Sequence, residues 1–154
     1  MPATPDETSV VEHEVLVEAS PETVFAYFTD PAKVVRWMGD EATLDPHPGG
    51  VCRIAWASAG AMLGEYVEVV PFSRVVFKWG WEVELVGVPP SSTLVEVTLR
   101  SEGDGTRVRV THRRIPTRTV PFHRAGWDHY LGRLTVAASG RDPGPDPLPR
   151  GIAA

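Results

Sequence analysis

The sequence predicts an α+β domain in which a seven-stranded antiparallel sheet curls around one long C-terminal helix. Seven short segments alternate apolar and polar residues with the period of two that is typical of half-buried strands. Two short helical segments separate the first strand from the other six, and one long amphipathic segment follows the last strand. Because each strand has one apolar face, and only the last helix is long enough to cover it, the sheet is expected to wrap around that helix.

The composition agrees with one globular domain. The chain has 154 residues, of which 42% are hydrophobic and 23% charged, as in folded rather than disordered proteins. We predict a domain at residues 9–139, with a flexible N-terminus at 1–8 and a flexible Pro/Gly-rich tail at 140–154.

Charge and cysteine content exclude several classes of protein. The formal net charge is -5, which disfavours nucleic-acid binding. No apolar run reaches the roughly 18 residues of a membrane span, so we expect no membrane insertion. The single cysteine, Cys52, allows no intrachain disulfide, and this favours a reducing, cytoplasmic setting.

The first strand and the two short helices are predicted from their boundaries. Apolar alternation predicts a strand at residues 9–19. Ser20 before a proline starts a helix at 21–28, because a serine oxygen caps the free N–H groups of a first turn. Asp30, again followed by proline, ends this helix and caps a second one at 32–38.

The remaining strands follow as a meander separated by turn residues. They are predicted at residues 41–45, 51–58, 62–70, 73–81, 93–100 and 107–114. The last helix is predicted at 121–138, where apolar residues recur at three- and four-residue spacing. A single helix cannot fill a curled sheet, so we expect space between the two, lined by some of the five tryptophans.

A series of short motifs runs along the chain in a fixed order. They are A-S-P-E-T-V-F at 19–25, F-T-D-P at 28–31, R-W at 36–37, P-G-G at 48–50, G-E-Y-V-E-V at 64–69, R-V-V-F-K-W at 74–79, G-D-G-T-R-V at 103–108 and G-W at 126–127. Over residues 10–138 this order and spacing resembles the START-like, helix-grip superfamily. Within it, the chain resembles the subfamily named after the C-terminal domain of the heat-shock-protein ATPase activator.

The resemblance implies a hydrophobic cavity between the sheet and the last helix. Members of the superfamily bind lipids, sterols, polyketides or plant hormones, and some are polyketide cyclases or aromatases. Relatives are often dimers, so the resemblance also implies a homodimer. The co-chaperone function belongs to larger eukaryotic relatives with an additional N-terminal domain, so a chaperone-linked interaction protein remains an alternative here.

The residues expected to line the cavity are mostly apolar and aromatic. They are Trp37, Trp56, Glu65, Val67, Phe77, Trp79, Trp81, Val97, His112, His123, Trp127, Tyr130 and Leu131. Any one of the rings could equally be ordinary core, since aromatic side chains dominate protein interiors. Several rings directed at one concavity favour a ligand more than a single ring does.

Glu65 is the candidate polar group on the inner face. It is assigned to the same face of its strand as Val67, whereas Tyr66 is assigned outward. A buried carboxylate would serve as a ligand anchor or as an acid/base group with a raised pKa. The alternative is an ion pair at a strand end that reaches water.

The inward histidines are the other candidates for chemistry. His112 and His123 are either satisfied core side chains or groups that titrate near neutral pH. His13, on the first strand, is expected to face His112 on the last. These histidines lack the short spacing of metal ligands, so we expect no metal, and no cofactor motif is present.

Three functional hypotheses follow. The leading one is a binding protein for a small hydrophobic, aromatic or polycyclic molecule, without enzymatic activity. The second is a cyclase-, aromatase- or hydrolase-type enzyme that uses Glu65 with His112 or His123 as acid and base. The third is a chaperone-linked interaction protein that uses the outer face of the sheet.

Overall fold

A computed structural model of the chain describes residues 7–57 and 59–146. Most of the predicted N-terminal extension, residues 1–6, lies outside these ranges. So do Ser58, where the predicted third strand ends, and residues 147–154 of the predicted tail.

The described residues form one antiparallel sheet and three α-helices. The strands are β1 (Thr8–Val17), β2 (Glu41–Leu44), β3 (Val51–Trp56), β4 (Gly60–Val70), β5 (Arg74–Trp79), β6 (Thr93–Glu102) and β7 (Gly105–Pro116), and the helices are α1 (Pro21–Thr29), α2 (Pro31–Val34) and α3 (Val120–Ala138). The strand order is β1-β7-β6-β5-β4-β3-β2, so the chain runs as a meander closed by β1 at one edge. This confirms the predicted fold. No helix among the described residues is long and apolar enough to cross a membrane.

Both short helices begin at the predicted caps. The Ser20 hydroxyl accepts a hydrogen bond from the Thr23 N–H at 3.2 Å, and the Asp30 carboxylate accepts one from the Ala32 N–H at 2.9 Å. The second helix is shorter than predicted, because α2 ends at Val34 and the chain continues as a turn. That turn places Trp37 beneath α1, where its indole N–H donates to the Tyr27 carbonyl at 2.8 Å.

Strand β5 also ends earlier than predicted, at Trp79. The reason is a close backbone approach at Gly80, where an added Cβ would lie 1.8 Å from the Pro89 carbonyl oxygen. Beyond this point Trp81 is buried and forms an isolated bridge with Met62.

Strand β4 corrects the predicted orientation of Glu65, Tyr66 and Val67. Tyr66 is 1% exposed and points inward, whereas the Glu65 side chain is 39% exposed and Val67 is 42% exposed. A β-bulge between Tyr66 and Glu68 inserts one residue, so the face that points inward changes along the strand. The prediction failed because it applied the alternation of Val67 and Val69 to the whole strand.

The core lies between the inner face of the sheet and α3. The inward positions of the central strands are fully buried, at Val75, Val95, Val97, Val108 and Val110. The α3 side chains that meet them were correctly predicted, and they are His123, Trp127, Tyr130, Leu131, Leu134 and Ala138. Each large apolar side chain buried in this way contributes about 1.5–3 kcal/mol of transfer free energy.

Candidate functional site

A continuous wall of aromatic rings lies between the sheet and α3. The ring centroids of Trp79 and Trp127 are 5.3 Å apart, those of Trp79 and Trp81 are 5.5 Å apart, and those of Trp56 and Trp81 are 5.6 Å apart. Trp56 also contacts Tyr130, at 5.7 Å. All five side chains are buried, as the sequence predicted.

Two small cavities lie inside this wall. The first, of about 10 Å³, is lined by Met38, Trp56, Trp79, His123, Gly126, Trp127 and Tyr130. The second, of about 20 Å³, is lined by Tyr27, Phe28, Val34, Trp37, Met38, Leu44, Cys52, Ile54, Phe77, Trp79 and Trp127. Met38, Trp79 and Trp127 line both cavities, so they form the partition between them. Each volume has room for about one water molecule.

The His112 ring is neutral and forms a hydrogen bond at each of its two nitrogens. The Trp127 indole N–H donates to its Nδ1 at 3.0 Å. The Thr93 hydroxyl donates to the Trp79 carbonyl, so it accepts a hydrogen bond from His112 Nε2–H, at 2.7 Å. Burial, together with the neighbouring His123, holds the pKa of His112 well below its usual value of 6.5. Both ring nitrogens of His112 therefore already have hydrogen-bond partners within the protein.

His123 is held in the same way at the start of α3. Its Nδ1–H donates to the Thr119 carbonyl at 3.0 Å, and its Nε2 accepts a longer hydrogen bond from the Trp81 indole at 3.4 Å. Burial lowers the pKa of His123 to about 4, despite the opposing effect of the Thr119 carbonyl. The ring centroids of His112 and His123 are 5.0 Å apart, which confirms that these two histidines lie inside and close together.

His13 does not join them. Its backbone pairs with Val110, whereas Val11 is the residue opposite His112. The His13 side chain contacts α3 instead, with Nδ1 2.9 Å from the Asp128 carboxylate. The predicted pairing of His13 with His112 is therefore wrong by two residues in the register of β1 and β7.

Two buried side-chain nitrogens of the described residues lack a hydrogen-bond partner, His13 Nε2 and Trp79 Nε1, and of the two residues only Trp79 lines the cavities. The Trp79 side chain is 3% exposed, and its Nε1–H has no hydrogen-bond partner among the described residues. The other indoles all donate, to acceptors on Tyr27, Tyr130, His123 and His112. Because a buried polar group without a partner costs about 1–3 kcal/mol, this donor marks a position where an acceptor would stabilise the protein.

Glu65 lies outside the aromatic interior. On the outer face of the sheet its carboxylate forms an ion pair with Lys78 at 3.0 Å. An acid/base pair of Glu65 with His112 or His123 is therefore not assembled. The cavity linings contain no Asp, Glu, Lys or Arg from the described part of the chain.

The other predicted site residues divide into two groups. Besides His123, six of them line one or both of the interior cavities, namely Trp37, Trp56, Phe77, Trp79, Trp127 and Tyr130. Four are buried around them and line neither of the two interior cavities, namely Trp81, Val97, His112 and Leu131. Within the described residues, no group of three His, Cys, Asp or Glu side chains is placed to hold a metal ion.

Three residues that contribute to the candidate site were not predicted from the sequence, namely Met38, Tyr66 and Asp146. Met38 was recognised only as an apolar residue of a short helix, although it lines both cavities. Tyr66 is buried beside Cys52, and its hydroxyl donates to the Phe28 carbonyl at 3.0 Å. Burial raises the pKa of the Cys52 thiol to about 12, so this thiol is a buried apolar group rather than a nucleophile. The third contributor, Asp146, lies in the predicted tail.

Residues 140–146, which we call the strap, lie against α3. The Asp146 carboxylate accepts a hydrogen bond from the Tyr130 hydroxyl at 2.5 Å and lies 2.8 Å from His129 Nε2. Burial and this carboxylate raise the pKa of Tyr130, so its hydroxyl stays protonated. Asp146 had no signal in the sequence, because its partners are distant in the chain and the segment has no periodicity.

Comparisons with known proteins identify the family and the fold. A family model described as Activator of Hsp90 ATPase homolog 1-like protein matches residues 18–139. The AHSA1-like protein of Rhizobium etli, solved by NMR in solution, is 45% identical, with 92% of this chain and 89% of that chain covered and a TM-score of 0.70. No curated protein matches the sequence.

Two more distant structures share the fold. DynU16, from the dynemicin biosynthetic locus, is 26% identical with a TM-score of 0.74; the match covers 93% of this chain but 51% of DynU16. The Aha1 dimer of Colwellia psychrerythraea is 17% identical with a TM-score of 0.74, over 86% of this chain and 97% of that chain. At 17% identity the similarity shows the fold alone.

Proposed function

The protein belongs to the family of Activator of Hsp90 ATPase homolog 1-like proteins, and we propose that it binds a neutral, ring-containing small molecule between its sheet and α3. The observation that carries this proposal is the buried Trp79 indole N–H without a partner. Trp79 lies in the partition between two cavities, among rings suited to an aromatic ligand. The ligand would supply the missing acceptor, such as a carbonyl oxygen.

The chemistry of the lining supports a neutral rather than an anionic ligand. The two cavities have no cationic side chain in their linings, and both interior histidines are neutral. An ionised carboxylate would lose its hydration there without gaining a counter-charge. A neutral ring with one hydrogen-bond acceptor matches both the apolar wall and the unpartnered N–H of Trp79.

Binding requires the two cavities to merge. Sites for small molecules usually measure about 300–1,000 Å³, far more than the space in this conformation. Met38, Trp79 and Trp127 separate the cavities, and a methionine side chain adapts easily to a new neighbour. We expect ligand binding to displace Met38 first.

The two alternatives fare differently. The enzyme hypothesis lacks its acid/base pair, because Glu65 lies on the outer face of the sheet. The chaperone-linked hypothesis is favoured by the small volume of the interior. The outer face that it would use carries ion pairs, among them Arg53 with Glu82 and Lys78 with Glu65.

Two fluorescent probes test the proposal. Prodan is a neutral naphthalene ketone, and 2-(dimethylamino)naphthalene is its analogue without the carbonyl group. We expect the protein to bind Prodan more tightly, and Trp79→Phe to remove roughly a two- to tenfold preference, which is the usual worth of one hydrogen bond. Titrations that follow probe fluorescence measure both affinities.

Trp81→Phe is the matched control. It removes another buried indole, whose N–H already donates to His123 and which lines neither cavity. This variant should keep the preference for Prodan, provided that circular dichroism shows both variants folded. Equal affinity for the two probes in the unmodified protein would contradict the role of Trp79. No binding of either probe would shift the weight to the chaperone-linked alternative.

A further inference from the structure

The strap is held in place by a helix C-cap that reverses the chain. Gly140 adopts a left-handed conformation with φ of 91°. Its N–H donates to the Ala137 carbonyl, and the Arg141 N–H donates to the Val136 carbonyl, both at 3.1 Å. This is the hydrogen-bond pattern of a Schellman motif, and it sends residues 141–146 back along α3.

Two points fasten the strap to the domain. Arg133 of α3 donates to the Pro143 carbonyl of the strap at 3.4 Å and to the Trp37 carbonyl at 3.2 Å. Further along, Asp146 accepts a hydrogen bond from Tyr130, whose hydroxyl oxygen accepts one from the Trp56 indole at 2.9 Å. Asp146 therefore acts on Trp56 through Tyr130.

A surface groove lies directly outside Trp56. It has a volume of about 330 Å³ and is lined by Val35, Gly39, Asp40, Trp56, Arg133, Gly144, Pro145 and Asp146. Trp56 also lines the first interior cavity, together with Tyr130. One indole thus separates the groove from the interior, and the strap forms one wall of the groove.

We infer that this groove is the entrance to the interior, that Trp56 is its gate, and that Asp146 is the latch that holds the gate closed. The inference rests on the proposed function, since an entrance needs a ligand. When the strap moves away, Tyr130 loses its acceptor, and the Trp56 ring is free to turn and join the groove to the first cavity. Asp146 is a positioning residue and does not touch the ligand.

Stopped-flow fluorescence with Prodan tests the gate. In Asp146→Ala we expect association and dissociation both to accelerate roughly tenfold, because a hydrogen bond to a charged group is lost from the closed state alone. The affinity should stay within about threefold, since both rates change together. A residue that contacts the ligand would instead change mainly the dissociation rate.

Asp104→Asn is the matched control. It removes the same charge from the exposed turn between β6 and β7, far along the chain from the strap. Its Prodan kinetics should equal those of the unmodified protein. If Asp146→Ala also binds and releases Prodan at the unmodified rates, the gate is wrong.

Hydrogen exchange at the indole N–H groups, followed by NMR, reports on the latch without any ligand. Trp56 Nε1–H should exchange faster in Asp146→Ala than in Asp104→Asn, whereas that of Trp37, which donates to a carbonyl of α1, should not change. Unchanged exchange at Trp56 overturns the latch. Faster exchange in a protein that binds no Prodan would support the latch and contradict the proposed function.

Discussion

At the residue scale, the interior polar groups show which side chains are free to meet a ligand. His112 and His123 have the residue type of acid/base catalysts, but each uses both ring nitrogens in hydrogen bonds within the core. Tryptophan is a common core residue, but the indole N–H of Trp79 has no hydrogen-bond partner among the described residues. The hydrogen-bond partners, rather than the residue types, therefore identify the candidate ligand contact.

The histidines predict how stability depends on pH. His123 has an ordinary pKa of 6.5 when unfolded and about 4 when folded, so between these values the unfolded chain binds more protons. The free energy of unfolding should fall as the pH drops from 6.5 towards 4, by about 1.4 kcal/mol per pH unit for one such group. Urea denaturation at several pH values measures this dependence.

Two variants assign the pH dependence to the interior. His123→Gln should remove the share of one group, and His112→Gln should remove another share, because burial also lowers the pKa of His112. A free energy of unfolding that stays constant between pH 6.5 and 5 would show that His123 is not held neutral by burial.

At the scale of single elements, β4 shows how a bulge redistributes residues between two faces. Tyr66 pairs with Phe77 on the inner face, and after the bulge Val69 pairs with Val75 on the same face. The change of face therefore lies between Tyr66 and Val69, at the bulge, and the sequence pattern does not display it. The candidate catalytic carboxylate is thereby placed on the outer face.

The orientation of β4 predicts an order of stability for two conservative variants. Tyr66→Phe should cost about 1–3 kcal/mol, because the buried Phe28 carbonyl loses its donor. Glu65→Gln should cost less than about 1 kcal/mol, because it weakens a partly exposed ion pair. Urea denaturation of both variants measures the difference, and the reverse order would place Glu65 inside.

At the scale of the whole molecule, α3 is the element on which the domain depends. It covers the inner face of the sheet, supplies Trp127 and Tyr130 to the aromatic wall, and receives the strap. The domain should therefore unfold in one cooperative transition. Two other properties of the whole molecule, the homodimer and the cytoplasmic location, stay predictions from the sequence.

A smaller side chain on the buried face of α3 tests whether the stability of the domain depends on this helix. Leu134→Ala should lower the free energy of unfolding by about 2–5 kcal/mol, since Leu134 is fully buried and leaves a cavity. Arg124→Ala, at an exposed position of the same helix, should change it by less than about 0.5 kcal/mol. Denaturation followed by both tryptophan fluorescence and circular dichroism should give coincident curves, and separate transitions would contradict a single cooperative unit.

The sequence by itself determined the element order, the strand meander and the buried face of α3. It could do so because these depend on local periodicity and on caps such as Ser20 and Asp30, which act within a few residues. It also placed the rings of Trp56, Trp79 and Trp127 inside, since each shares a face with other apolar residues.

Only the tertiary structure decided the chemistry of the site. The bulge in β4 turned Glu65 away from the interior, and packing reduced the space between the rings to water-sized cavities. The contact of Asp146 with Tyr130 and the missing partner of Trp79 both depend on residues distant in the chain. A periodic pattern shows which face of a strand or helix a residue belongs to. Hydrogen bonds between distant residues and the volumes of cavities are set only when the sheet and α3 pack against each other.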